Sequence, residues 1–217
     1  MQENVKGVAI SLEGKNAIVT GGGGGMGRCT ALMLAAAGAN LVVSDVNAET
    51  AEATAREAIE KYGVKAVATK CNVTVKSEVD AMVELSVKTL GRIDILNHVA
   101  GVFGAVDFMK STEADYDKQM DINAKGTYFV DQAVLRIMIP NRAGKIVNMC
   151  SQAGKYGFHT NVAYTASKFA VAGMTQSIAQ YAAPYNINVN CVCPGVVRTN
   201  IWERALDDIR RQGGDAR

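Results

Sequence analysis

The sequence predicts an α/β protein with a doubly wound parallel sheet and helices on both faces. Short apolar runs alternate with helical patterns along most of the 217-residue chain, and strands joined through helices pair in parallel. A run of glycines follows the first apolar segment, and polar or small residues follow the others. Because the carboxyl ends of parallel strands lie at one edge of a sheet, these residues are expected to meet in one crevice.

The strands are predicted from short apolar runs rich in β-branched residues, and the helices from the longer stretches between them. The predicted strands are residues 16–20, 40–44, 64–69, 93–97, 145–149 and 187–192. The predicted helices are residues 27–37, 48–62, 75–90, 112–138 and 161–183. No repeat or linker divides the chain, so residues 1–217 are expected to form a single domain.

The glycine loop lies between the first strand and the first helix, which is the context that a dinucleotide-binding loop requires. Residues 21–27 are all glycine except Met26. Glycines permit a tight turn and let backbone N–H groups approach a pyrophosphate, and a helix N-terminus favours negative charge. Two registers fit the pattern, Gly22-x-Gly24-x-x-Gly27 and Thr20-Gly21-x-x-x-Gly25-x-Gly27.

A carboxylate, Asp45, follows the second predicted strand. A carboxylate at this point can accept both hydroxyls of an adenosine ribose and repel a 2′-phosphate, which predicts NAD rather than NADP as the cofactor. Residues 41–55 contain no arginine or lysine that could pair with such a phosphate. Asp45 and Asn47 also precede the second helix, so a capping role for Asp45 is an alternative that is compatible with the first.

The fifth strand is followed by Ser151, and Tyr164 and Lys168 are four residues apart in the last predicted helix. This spacing places the phenol and the ammonium on one helix face. An ammonium near a phenol favours the phenolate, which eases proton exchange near neutral pH. A serine hydroxyl beside them can donate to a carbonyl oxygen that gains charge. The three side chains are therefore predicted to hold one substrate oxygen and supply its proton.

Composition and charge exclude several classes of function. The formal net charge of +2 and the lack of a basic cluster argue against a nucleic-acid partner. No secretory signal or membrane-length apolar run is present. The five cysteines are an odd number, which fits reduced thiols in the cytoplasm. Cys191 and Cys193 share one face of the last strand, where buried packing is the simplest interpretation, and no metal site is expected.

Together these motifs resemble the short-chain dehydrogenase/reductase family over residues 12–199, which implies a Rossmann fold and NAD(P)-dependent chemistry. The resemblance implies a catalytic tetrad of Asn123, Ser151, Tyr164 and Lys168, in which Asn123 holds a proton-relay water. The cofactor-binding residues that it implies are Gly21, Gly25, Met26, Gly27, Asp45, Asn72, Val73, Ala100, Gly101, Tyr164, Lys168, Pro194, Gly195, Val197 and Thr199. Asn72 stands where the family usually has aspartate beside the adenine, and an amide can also bond that ring.

Two features depart from the family pattern. The family usually has Asn-Asn-Ala-Gly after the fourth strand, where this chain has His98-Val99-Ala100-Gly101. The two ring nitrogens of His98 can substitute for the first asparagine in tying the sheet together. Family members also continue past the Pro-Gly segment with a further helix and strand. A sheet that ended at strand six would have an unpaired edge, so the natural chain is expected to extend beyond Arg217.

The segment after strand five, Ser151-Gln152-Ala153-Gly154, and residues 194–202 resemble those of acetoin/diacetyl reductases and polyol dehydrogenases of the family. This resemblance implies a small acyloin, diol or polyol as substrate, contacted by Ser151, Gln152, Tyr164 and Trp202. The alternatives are a hydroxysteroid dehydrogenase, for which Phe158 with Tyr156 and Val162 could line an apolar pocket, a 3-oxoacyl-carrier reductase, and a nucleotide-sensing binding protein. Family members are mostly tetramers or dimers, so a homotetramer or homodimer is expected.

Overall fold

The computed structural model describes residues 10–199, and in this part of the chain six parallel strands form one sheet. The strands run in the spatial order β3-β2-β1-β4-β5-β6. Their bounds are Asn16–Thr20 (β1), Asn40–Asp45 (β2), Ala66–Lys70 (β3), Ile95–His98 (β4), Gly144–Met149 (β5) and Ile187–Val192 (β6). The order reverses between β1 and β4, so a crevice opens there at the carboxyl ends of the strands. The prediction of a doubly wound parallel sheet is confirmed.

Helices cover both faces of this sheet because side chains along each strand alternate between the faces. Ala17 and Val19 of β1 pack with Ala31 and Ala35 on one side, whereas Ile18 packs on the other side with the larger apolar cluster. The helices are Gly25–Ala36 (α1), Ala48–Tyr62 (α2), Lys76–Leu90 (α3), Glu113–Gln119 (α4), Gly126–Asn141 (α5) and Val162–Ala182 (α6). In the described part of the chain, no helix is long and apolar enough to span a membrane.

The predicted continuous helix over residues 112–138 is wrong in one respect. The structure has α4, then a π-helical segment at Met120–Lys125, then α5, which continues to Asn141. A π-helical turn inserts extra backbone and re-aims the side chains that it carries, which is common at functional sites. Here that segment carries Asn123. The other predicted elements exist, with ends that differ by at most two residues.

Candidate active site

The turn from β1 into α1 brings two backbone segments into close contact. Gly21 has a left-handed backbone with φ of 64°, and a Cβ there would lie 2.8 Å from the backbone nitrogen of Ala100. A Cβ on Gly27 would lie 2.0 Å from the carbonyl oxygen of Gly21. Only glycine fits at these two positions. Gly27 belongs to both registers that fit the sequence, whereas Gly21 belongs only to Thr20-Gly21-x-x-x-Gly25-x-Gly27.

The N-terminus of α1 has free hydrogen-bonding capacity. Its N-cap is Gly24, no side chain caps it, and its first turn contains no acidic residue. By contrast, the side chain of Asn47 caps α2 by accepting from two backbone N–H groups. Uncapped N–H groups at a helix start suit a phosphate ligand, and a Cβ on Gly24 would meet nothing within 4 Å. The loop therefore fits the pyrophosphate of a dinucleotide.

Asp45 lies beside this loop at the end of β2. One carboxylate oxygen accepts from the backbone N–H of Gly23 at 3.0 Å, and the other accepts from Asn47 N–H at 3.0 Å. The side chain is half-buried. Each carboxylate oxygen has further acceptor capacity, so ribose hydroxyls can still bind. The cap of α2 is Asn47 rather than Asp45, so the alternative capping role for Asp45 is wrong, whereas a ribose-binding role stays a prediction.

The ends of β3 and β4 hold the residues expected near the adenine and the nicotinamide ribose. Asn72 Oδ1 accepts from the backbone and hydroxyl of Thr74. Val73 is buried and packs against Gly126. Ala100 N–H donates to Thr20 Oγ1 at 3.3 Å. These residues shape the walls behind the crevice.

His98 connects β4 to β1 through a buried hydrogen bond. Its Nδ1 lies 2.7 Å from Thr20 Oγ1, which also accepts from the backbone N–H groups of Val99 and Ala100. Burial, aided by the nearby Lys168 charge, lowers the pKa of His98 to about 3. A neutral histidine thus ties the two strands at the switch point, a role that the sequence left open.

Ser151, Tyr164 and Lys168 come together in one cavity. The Ser151 side chain acts to lower the pKa of the Tyr164 phenol, and Ser151 Oγ accepts from Ala153 N–H at 3.1 Å. The ring of Phe103 packs edge-on against Tyr164, with centroids 4.8 Å apart. The serine and tyrosine hydroxyls therefore point to one place, as the sequence spacing predicts.

Lys168 is buried beneath the tyrosine. Its Nζ donates to the Met149 carbonyl oxygen at 2.8 Å and lies 5.7 Å from the centroid of the Tyr164 ring. Burial lowers the pKa of Lys168 to about 8. Burial also raises the pKa of Tyr164, against the opposing influence of the Ser151 side chain. The lowered tyrosine pKa expected from the sequence is not found, because desolvation outweighs the other influences.

Asn123 is buried, and both the oxygen and the nitrogen of its side-chain amide make hydrogen bonds. Its Oδ1 accepts from Val102 N–H at 2.8 Å, and its Nδ2 donates to the Val102 carbonyl oxygen and to Ser167 Oγ. A Cβ on Gly101 would lie 3.0 Å from Asn123 Oδ1 and 3.5 Å from Lys168 Nζ. Asn123 and Lys168 thus approach the same side of Gly101, and the asparagine fixes the loop after β4 against α6.

The cavity around Ser151 and Tyr164 has a volume of about 290 Å³. It is lined by Met26, Val99, Gly101, Val102, Phe103, Ala105, Met149, Cys150, Ser151, Gln152, Ala153, Phe158, Thr160, Asn161, Tyr164, Lys168, Gly195, Val196, Val197 and Thr199. Lys168 is the one formally charged side chain among these lining residues. The expected Gln152 is included, whereas Trp202 lies outside the described residues.

Comparison with known proteins identifies the family. A family model for short chain dehydrogenases matches residues 15–210. The chain belongs to the short-chain dehydrogenase family. It is 39% identical to a sorbitol dehydrogenase of Cereibacter sphaeroides over 195 residues, which cover 89% of this chain and 75% of that protein. A diacetyl reductase ((S)-acetoin forming) of Staphylococcus epidermidis is 37% identical over 196 residues, 90% of this chain and 76% of the relative.

Two further comparisons bear on the cofactor and on the range of substrates. The crystal structure of NAD⁺-bound xylitol dehydrogenase superposes with a TM-score of 0.89 at 36% identity, covering 94% of this chain and 78% of that one. A 3-oxoacyl-[acyl-carrier-protein] reductase of Aquifex aeolicus is 34% identical over 203 residues, 93% of this chain and 82% of the relative. Membership of the family makes this dehydrogenase an oxidoreductase acting on CH–OH groups, as expected from the sequence.

Sequence reasoning missed several cavity residues of this dehydrogenase. Phe103, Thr160 and Asn161 line the cavity but lie in irregular segments where no periodicity marks them. Phe158, which was considered as part of an apolar pocket, does line the cavity, whereas Val162 lines a smaller neighbouring one. Tyr156 is 65% exposed. Of that apolar group, only Phe158 therefore contributes to the cavity beside the tyrosine.

A group of three thiols was also not expected. The sulfur atoms of Cys150, Cys191 and Cys193 all lie within 4.8 Å of one another. The sequence places only Cys191 and Cys193 on one face. Cys150 joins them because β5 and β6 pair in a register that sets Asn148 opposite Cys191. Burial raises the pKa of Cys150 to about 12 and also raises the pKa of Cys191.

Proposed function

We propose that the protein is an NAD(H)-dependent dehydrogenase that interconverts a small secondary alcohol, diol or polyol with the corresponding ketone. The observation that carries the proposal is the meeting of Ser151, Tyr164 and buried Lys168 in one cavity, with Lys168 Nζ 5.7 Å from the centroid of the Tyr164 ring. The uncapped glycine turn before α1 and the carboxylate of Asp45 beside it fit a dinucleotide without a 2′-phosphate.

The chemistry divides between the cofactor and the side chains. The nicotinamide supplies or accepts the hydride. In the reducing direction, Ser151 donates a hydrogen bond to the carbonyl oxygen, and Tyr164 transfers its proton to that oxygen. Lys168 holds a positive charge beside the ring of Tyr164, which stabilises the phenolate left behind. In the oxidising direction, the phenolate takes the proton back.

The cofactor would be held by residues already in place around the crevice. Gly21, Gly25 and Gly27 would take the pyrophosphate at the turn, Asp45 would accept the ribose hydroxyls, and Asn72 would contact the adenine. Ala100, Gly101, Tyr164 and Lys168 would contact the nicotinamide and its ribose. Asn123 would hold the proton-relay water, the role that the family resemblance implies. The remaining proposed contacts are Met26, Val73, Pro194, Gly195, Val197 and Thr199.

A small polar substrate is supported by the side chains next to Ser151. Gln152 lines the cavity, and its Oε1 lies 3.6 Å from the position of a Cβ on Gly195. An amide there can bond a second oxygen next to the reacting carbon. Thr160 and Asn161 add further polar atoms to the lining. A site that bonds a vicinal hydroxyl rejects an analogue that lacks it, because its own polar group is left unpaired.

A second candidate, reduction of a larger apolar ketone or a 3-oxoacyl thioester, is favoured by Phe103, Phe158 and Met149 in the same cavity. The test is NADH absorbance with acetoin, 2,3-butanediol, sorbitol and xylitol against a hydroxysteroid and a 3-oxoacyl thioester. The expected result is a higher kcat/KM for one of the small hydroxylated substrates than for the hydroxysteroid or the thioester. Turnover of the steroid or thioester alone would favour the second candidate.

Two broader proposals concern the protein in the cell. We place it in the cytoplasm, which the odd number of cysteines supports. We also propose a homodimer or homotetramer that pairs through α5 and α6. Tyr128 on α5 and Phe169 and Tyr181 on α6 are exposed by 46% to 63%, and exposed aromatics are typical of interface cores. Sedimentation velocity tests this, with a pure monomer at micromolar concentration as the contrary result.

A further inference from the structure

Three cysteine side chains meet next to the active site on the sheet face that α6 covers. Cys150 directly follows β5, Cys191 lies in β6, and Cys193 follows β6. The backbone N–H of Cys150 donates to the carbonyl oxygen of Val192 at 2.9 Å. Because Val192 lies between Cys191 and Cys193, this bond holds Cys150 beside both of them. Side chains two apart on a strand share a face, which brings all three thiols to one place.

The distances suit a single metal ion. The three sulfur atoms lie within 4.8 Å of one another. Thiolates bind zinc at about 2.3 Å in tetrahedral geometry, which sets two sulfurs of one site about 3.8 Å apart. Small rotamer changes of the cysteines would bring the sulfur atoms to that distance. The cluster therefore has the ligand type and spacing of a three-thiolate site with the fourth coordination position open.

The charge balance and the accessibility of the three cysteines also suit a bound metal ion. Three thiolates around a divalent ion carry one net negative charge, and the ammonium of Lys168 is the charge that can balance it. Lys168 interacts electrostatically with Cys150 and Cys193. Cys150 is buried, whereas Cys191 and Cys193 are half-exposed, so an ion can enter from the side of β6. None of the three thiols has a part in the chemistry proposed above.

We propose that Cys150, Cys191 and Cys193 bind one thiophilic divalent ion, with Zn²⁺ as the physiological candidate, and that its binding inhibits the enzyme. Cys150 precedes Ser151, and Cys193 precedes Pro194. An ion held by both cysteines fixes the backbone that presents the serine and the segment beside the nicotinamide, and it draws the charge of Lys168 toward the thiolates. The inhibition rests on the proposed function, whereas the binding of the ion does not.

Binding is tested with Co²⁺, whose thiolate complexes show strong sulfur-to-metal charge-transfer absorption. The full chain, reduced and freed of metal, is titrated with Co²⁺ and then with Zn²⁺. The expected result is saturation at one ion per chain and loss of the absorption when Zn²⁺ is added. Cys193→Ser should weaken binding on the order of 100-fold or more, since even loss of an outer-shell partner costs 10–100-fold. Cys29→Ser, at an exposed thiol of α1, is the matched control and should bind like the unaltered chain.

Cys193→Ser is preferred to Cys150→Ser because its side chain is half-exposed and the fold should tolerate the change. Circular dichroism verifies that each variant is folded. Absence of a charge-transfer band in the unaltered chain, or an equal band in Cys193→Ser, would overturn the site. Inhibition of turnover should require about tenfold more Zn²⁺ in Cys193→Ser than in Cys29→Ser. Equal sensitivity would overturn the inhibitory role, and the Co²⁺ result stands whatever substrate the enzyme uses.

Discussion

Tyr164 is surrounded by Phe103, Lys168 and Ser151. Phe103 packs edge-on against its ring, the ammonium of Lys168 lies 5.7 Å from the ring centroid, and the Ser151 side chain acts to lower the pKa of the phenol. Burial nevertheless raises its pKa. The phenol is therefore protonated in the resting protein, ready to act as the acid in ketone reduction. In the oxidising direction, ionisation of the phenol is aided by the ammonium of Lys168, which lies beside its ring.

Replacement of Tyr164 by Phe is expected to lower kcat by about 10²–10⁴-fold, the range that general acid–base groups contribute. The ring and its contact with Phe103 remain, so NADH binding measured by fluorescence should stay within a few-fold of normal. Tyr156→Phe is the matched control, since Tyr156 is exposed and outside the cavity. Near-normal turnover by the Tyr164 variant would contradict the assigned role.

Asp45 is expected to decide the choice of cofactor. The unaltered enzyme should show higher kcat/KM with NAD than with NADP, because a carboxylate repels the 2′-phosphate. Asp45→Asn keeps the size of the side chain and one acceptor for the loop N–H groups, and it removes the charge. The NAD-to-NADP ratio of kcat/KM should then fall by about tenfold or more, which corresponds to roughly 1.4 kcal/mol. A preference for NADP in the unaltered enzyme would show that Asp45 only holds the loop N–H groups of Gly23 and Asn47.

At the scale of the element, the start of α1 depends on one contact between backbones. A Cβ on Gly27 would lie 2.0 Å from the Gly21 carbonyl oxygen, so Gly27→Ala must push the helix away from β1. Overpacking of this kind costs about 1–3 kcal/mol of unfolding free energy. Gly173→Ala is the matched control within α6, where a Cβ meets nothing within 4 Å. It should stabilise the protein by roughly 0.5–1 kcal/mol, and urea unfolding of both variants measures the difference.

If both alanine variants unfold at the same urea concentration, the close contact at Gly27 does not limit the turn. If Gly27→Ala is destabilised but still binds NADH with normal affinity, the turn is structural and the pyrophosphate is held elsewhere. The expected pattern is loss of both stability and affinity in Gly27→Ala, with neither lost in Gly173→Ala.

The elements differ in how far the sequence determines them. The strand, turn and helix at residues 16–36 follow from local signals, namely an apolar run, glycines and an alanine-rich stretch. The interruption of the predicted helix 112–138 has no local signal, because Asn123 bends the backbone by bonding Val102 and Ser167, which are remote in sequence. The thiol cluster and the His98–Thr20 bond depend on strand register, which periodicity leaves open. Contacts between remote segments were therefore the ones missed or left as alternatives.

At the scale of the whole molecule, two buried groups oppose each other in their response to pH. Burial lowers the pKa of His98 from 6.5 to about 3 and raises the pKa of Asp131 from 3.8 to about 7. Below pH 6.5 the unfolded chain gains a proton at His98 that the folded chain does not, so stability falls as the pH falls. Above pH 3.8 the unfolded chain loses a proton at Asp131 that the folded chain keeps, so stability falls as the pH rises.

Between about pH 4 and 6.5 these two slopes are expected to cancel, and removal of one group should reveal the other. Asp131→Asn keeps an acceptor for Asn148 Nδ2, which donates to Asp131 at 2.8 Å, but it cannot ionise. Relative to the unaltered protein, its unfolding free energy should fall by roughly 2–3 kcal/mol as the pH is lowered from 6.5 to 4.5, about 1.4 kcal/mol per pH unit for one proton. Asp117→Asn, at an exposed site on α4, is the matched control and should parallel the unaltered protein.

Urea unfolding at several pH values measures each slope, and the difference between variant and unaltered protein removes the contribution of all other groups. Parallel slopes for Asp131→Asn and the unaltered protein would mean that Asp131 ionises in the folded state at its ordinary pKa.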